Sequence, residues 1–134
     1  MDFSIYISTP IGTSESDPKI TPLRLSKGRL TGGFLYFPSG PAGTLHFLAR
    51  VGLHQILPFS PGENYRLDDC VLPFSLGIGL LEPPFVIDCV TWNDSTKYPH
   101  ALTVCFFLAP SGKKKFTLDT LKRALFNTEG YPKP

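Results

Sequence analysis

Charge is scarce in this chain. Asp, Glu, Lys and Arg make up 18% of the 134 residues, and the formal net charge is only +2. So small a balance does not suggest the basic surface by which most nucleic-acid-binding domains hold phosphates, and no nucleic-acid partner is expected. No apolar run approaches the roughly 20 residues of a membrane-spanning helix, so no membrane partner is expected either. Cysteine is sparse as well. Cys70, Cys89 and Cys105 are odd in number, none is paired at CxxC spacing, and each sits in or beside an apolar run. Free cysteine in such a setting behaves as a small hydrophobe, which points to synthesis in a reducing compartment. The start, Met1-Asp2-Phe3-Ser4, lacks the basic segment that opens a secretory signal.

Reaction motifs are equally thin. There is no Gly-x-Ser-x-Gly elbow and no phosphate loop. Gly77-Ile78-Gly79-Leu80-Leu81-Glu82 opens like a dinucleotide fingerprint but lacks the third glycine and a following helix. His46, His54 and His100 are isolated, without the close histidine pair of cupin metal sites. Cys89 and Cys105 fall mid-strand, where a thiolate is poorly placed to react. Asp68 and Asp69 are adjacent in an extended segment and point opposite ways, which suits a polar loop better than acid–base work. No catalytic residue, cofactor or metal is assigned, and the chain is not expected to be an enzyme. Trp92 and Tyr98 could form a sugar-stacking platform, although a lone tryptophan among apolar neighbours is more often core.

What the chain has is apolar residues, 42% of the total, cut into short runs by 14 prolines and 12 glycines. The runs at Phe3–Ile7, Ile20–Leu25, Phe34–Phe37, Thr44–Val51, His54–Leu57, Cys70–Leu76, Phe85–Trp92 and His100–Leu108 read as strands. Phe34–Phe37 is continuously apolar, as expected of a strand covered on both faces. In Thr44–Val51, Leu45, Phe47, Ala49 and Val51 share one face. Pro38–Gly43, Pro61–Asn64 and Asn93–Thr96 read as turns, and Gly77–Pro84 as a loop. Turn signals spaced by about eight to twelve residues predict an all-β domain, a jelly-roll-like β-sandwich. The expected organisation is an N-terminal arm with edge strands (1–26), a sandwich body (27–111) and a basic C-terminal segment (112–134).

That last segment holds six basic and two acidic residues, which puts +4 there and −2 on the rest. It fits an interaction segment or a solvated tail. Phe116, Leu118, Leu121, Ala124 and Leu125 have helical rhythm, with Thr117 as N-cap and Gly130 and Pro132 as stops, and predict a short helix over Leu118–Phe126. The two ends supply the candidate partner contacts: Phe3, Ile5 and Ile7, and Lys113, Lys114, Lys115, Phe116, Leu118, Leu121 and Leu125. Packing of the same residues on their own domain is the alternative.

Several motifs then stand together. They are Thr9-Pro10, Ser16-Asp17-Pro18, Lys27-Gly28, Phe37-Pro38-Ser39-Gly40-Pro41-Ala42-Gly43 with His46, His54-Gln55-Ile56-Leu57-Pro58, Pro83-Pro84-Phe85, Trp92-Asn93-Asp94 and Tyr98-Pro99-His100. Over roughly residues 8–108 this pattern of turns and strand edges resembles small β-sandwich capsid decoration (cement) proteins of tailed bacteriophages. The resemblance implies a structural virion protein on the capsid surface, made in the host cytoplasm. Its implied partners are the major capsid protein and neighbouring copies of itself, in a homo-oligomer. A carbohydrate-binding or host-recognition module of a phage virion is the alternative expectation.

Overall fold

The computed structural model describes residues 1–110, and these form eight strands with no helix. The strands are β1 (Asp2–Thr9), β2 (Lys19–Arg24), β3 (Gly28–Phe37), β4 (Leu45–Val51), β5 (His54–Leu57), β6 (Cys70–Leu80), β7 (Val86–Asn93) and β8 (His100–Pro110). They build two four-stranded antiparallel sheets, ordered β1-β8-β3-β6 and β2-β7-β4-β5. The class is therefore all-β, and the sheets pack in the manner of a β-sandwich. The helix expected at Leu118–Phe126 lies outside the described residues, as do Lys113, Lys114, Lys115, Phe116, Leu118, Leu121 and Leu125.

One apolar cluster joins the inner faces. The first sheet contributes Ile7, Leu30, Leu35, Phe37, Leu102, Val104 and Phe106, and the second Leu23, Leu45, Phe47, Ala49, Ile87 and Cys89. Two-residue periodicity places them: Leu45, Phe47 and Ala49 of β4 all face inward with no exposed surface. β3 needs a correction of that period, because Leu30 and Leu35 are five residues apart and both are fully buried. Its register shifts between Leu30 and Gly32 against both neighbours: β3 has one residue more than β8 there and one fewer than β6, and the change of parity returns Leu35 to the inner side. Next to the bulge, a Cβ on Gly33 would lie 1.9 Å from the Cys105 carbonyl oxygen, so β8 passes too close for any side chain.

Buried polar groups tie the sheets at one end. Thr9 Oγ1 of β1 donates to Thr91 Oγ1 of β7 at 2.8 Å, and Asn93 Nδ2 donates to the carbonyls of Thr9 and Tyr98. Asn93 Oδ1 accepts the Ser95 amide, which closes the turn expected at Asn93–Thr96. The Pro38–Gly43 turn is held by Asp68, whose Oδ1 accepts the amides of Gly40 and Ala42 at 2.9 Å each.

In the first 26 residues β1 pairs with β8 from Asp2 to Thr9, and β2 with β7 from Lys19 to Arg24. Both are edge strands of their sheets. β6 runs on to Leu80 through the segment expected as a loop. It is also an edge strand, where Pro73 is tolerated, and Leu72, Phe74, Leu76 and Ile78 keep the inward alternation going past it. Lastly, β3 is covered on one face only, since Tyr36 is exposed and Phe34 half-buried.

Candidate functional site

The outer side of the first sheet carries the feature that packing among the described residues does not explain. Strand register aligns its outward residues in rows. Tyr6, Thr103, Tyr36 and Val71 form one row across β1, β8, β3 and β6. Ser4, Cys105, Phe34 and Pro73 form the next, and Asp2, Phe107, Gly32 and Ser75 the third. Tyr6 is 70% exposed, Val71 58%, Tyr36 40% and Phe107 40%, values far above those of a core. Phe34 and Phe107 meet edge to face, centroids 6.4 Å apart, so the central rings are braced against each other.

These three rows hold one charge, Asp2, at a corner, and Arg29 faces outward at the end beyond them, opposite Ala109 and Gly79, its Nη2 donating to the Gly77 carbonyl at 3.3 Å. The facing rows of the second sheet differ: Arg24, Asp88 and Arg50 lie on its outer side with Ile20, Leu48 and Val90. Exposed aromatic area without charge is the compositional mark of a protein contact surface, and Tyr is among the residues enriched there. At the centre of the face, Cys105 lies beneath its neighbours. Burial raises its pKa, and the Asp2 charge adds to the effect, so the thiol stays protonated and unreactive.

The residues singled out from the sequence fall elsewhere. Phe3, Ile5 and Ile7 alternate with Ser4, Tyr6 and Ser8 and face the core. Ile7 is 1% exposed, and Phe3 and Ile5 are half-buried against the same cluster, so among the described residues this row packs on its own domain. Their β1 neighbour Tyr6 is the residue presented outward. Trp92 is 4% exposed and stacks on His46 at 4.9 Å, so it forms no open platform, whereas Tyr98 is 64% exposed. His46 is fully engaged. Its Nδ1 lies 2.7 Å from Asn64 Oδ1 and its Nε2 2.7 Å from Asp94 Oδ2, bonding the loop before β6 to the turn after β7. His54 sits on β5 and His100 on β8, and among the described residues no three metal-capable side chains gather. Cys89 is buried in the core, where desolvation and the neighbouring Asp88 charge push its thiol up to about 12.

The outward row was missed because its residues stand inside continuous apolar runs. Tyr6 lies between Ile5 and Ile7, Phe34 and Tyr36 flank Leu35, and Phe107 follows Phe106. Such runs read as doubly covered strands. The available signal was the absence of charge at alternate positions: β8 has none from Ala101 to Pro110. No family model matches the chain, and neither a curated protein nor a solved structure does.

Proposed function

We propose that this chain is a structural component of a tailed-phage virion, a capsid decoration protein that binds coat subunits and neighbouring copies and stabilises the shell. The observation that carries the reading is the exposed, uncharged aromatic rows on one face of a two-sheet body, a surface for protein contact. The strand order supports a jelly-roll assignment. Strand 1 pairs with 8, 2 with 7, 3 with 6 and 4 with 5, the ladder of one long hairpin rolled up into two sheets. Jelly rolls recur in viral capsid domains, and also in lectins and cupins. The turn and strand-edge motifs that resemble phage cement proteins choose among these. As a virion component the chain would be made in the host cytoplasm and reside on the capsid surface.

The test is sedimentation of a native lysate, with mass spectrometry across the gradient. The chain is expected to travel at a fixed, high ratio to a very large particle. Confinement to the small soluble fraction would end the virion reading.

A further inference from the structure

We propose that the outer face of the β1-β8-β3-β6 sheet is where a second copy of this chain docks, face to face about a two-fold axis. The inference rests on the face being a contact surface and names its occupant.

Charge is the first argument. A surface matched to a foreign partner ordinarily shows complementary charge, which steers encounter and fixes register. The rows Tyr6–Val71 and Ser4–Pro73 carry none, and the row from Asp2 to Ser75 carries one at its corner. Arg29 also faces outward, at the end beyond this row, where its Nη2 donates to the Gly77 carbonyl. The aromatic rows between set no electrostatic demand on their complement, and identical rows meet them without like-charge repulsion. Under two-fold symmetry the off-centre Asp2 side chains are placed on opposite sides of the axis, clear of each other.

Area is the second. Four strands at ~4.8 Å and eight residues at ~3.3 Å give a projected face of about 500 Å2. Two such faces together come to about 1,000 Å2, the lower bound for a specific interface, with the rings of Tyr6, Tyr36 and Phe107 exposed upon it. Chemistry is the third. Tyr6 and Tyr36 bring hydroxyls on rigid rings, and Ser4, Ser75 and Thr103 lie beside them, so polar groups are available where apolar area is buried.

The experiment is sedimentation equilibrium of the purified full chain, with the variants Tyr6→Lys and Tyr36→Lys. Lysine at either site puts an unpaired charge into the uncharged rows that the contact would bury. Ile20→Lys, at a 47% exposed position on the other sheet's outer side, is the control. Thermal melts confirm that each variant folds, which both exposed tyrosine sites permit. The expected result is a dimer for the wild type and Ile20→Lys, with dissociation constants on the order of a hundredfold weaker for the two tyrosine variants. A wild-type monomer at about 100 µM, far above a specific dimer's dissociation constant, overturns the proposal. So does a dimer that both tyrosine variants leave intact. A monomer that still sediments with large particles refutes the dimer and spares the virion reading, whereas a dimer absent from particles does the reverse.

Discussion

Replacing Gly33 by alanine tests how closely the first sheet is built. The added methyl would sit 1.9 Å from the Cys105 carbonyl oxygen, 2.9 Å from its carbon and 3.0 Å from Phe74 Cζ. Two of these are backbone atoms of the central strand β8 and cannot rotate away, so β3 and β8 must part by about 1 Å locally to restore ordinary contact. That displacement breaks or stretches about two ladder hydrogen bonds, worth ~1 kcal/mol each. It also disturbs the Phe74–Phe106 pair, whose centroids are 5.5 Å apart and whose geometry contributes ~1 kcal/mol. The sum is a loss of about 3 kcal/mol, a large share of the ~5–15 kcal/mol that holds a typical domain. Gly77→Ala is the control, since its Cβ meets only the Arg29 Nη2 at 3.4 Å, the far end of a flexible side chain. Urea unfolding of both variants decides the matter. Gly33→Ala should lower the midpoint with the slope unchanged and lower Tm by roughly 10 °C, while Gly77→Ala stays within ~0.5 kcal/mol of wild type. Equal behaviour of the two variants would refute the close approach of β3 and β8.

Other expectations follow from single side chains. Thr21 Oγ1 is buried without a hydrogen-bond partner among the described residues, so Thr21→Val should stabilise by about 1 kcal/mol in the same urea assay. His46→Ala removes a buried ring stacked on Trp92 and two 2.7 Å contacts; it should cost ~2–4 kcal/mol and increase acrylamide quenching of Trp92 fluorescence. The Cys89 thiol holds its proton more tightly folded than unfolded, so its contribution is complete below the ordinary value of 9.0 and is lost as pH rises toward about 12. Unfolding free energy should therefore fall by up to about 1.4 kcal/mol per pH unit across that window, and Cys89→Ala should flatten the slope. Of the three thiols, the half-buried Cys70 should alkylate first in native protein at pH 8, with Cys89 and Cys105 labelled only after unfolding.

Strand existence was legible wherever one period acted alone. Leu45–Phe47–Ala49 of β4 alternates cleanly, and the fold uses it as read. β6 was cut short because Pro73, Gly77 and Gly79 are turn residues in a local reading, whereas on an edge strand they occupy outward positions at little cost. β3 hid its parity change in the Gly32–Gly33 pair, which signals nothing until two neighbouring strands impose their registers. The same limit explains the ends. Phe3, Ile5 and Ile7 form an amphipathic row that suits a partner or a core equally, and only the pairing of β1 with β8 assigns it inward. The outward face emerges from four strands distant in sequence, so no single segment could announce it.

An exposed apolar sheet face carries a hazard that its edges must control. Free edge strands invite open-ended growth, because each added strand offers a new edge. The first sheet ends on β1 and β6. Pro73 removes a donor from the middle of β6, and Gly77 and Gly79 weaken the flat template that a foreign strand would need. On the other side, the charge of Asp2 sits at the start of β1, and Lys19 folds over its far end to donate to the Ser8 carbonyl at 2.6 Å. Growth through either edge is thereby disfavoured, while among the described residues nothing comparable guards the rings between them. Association is thus directed through the face, and a two-fold face contact closes on itself, leaving no free copy of the surface to recruit a third chain. Self-association by this route should therefore stop at two copies as concentration rises. A distribution that keeps lengthening would show that the edges, not the aromatic rows, make the contact.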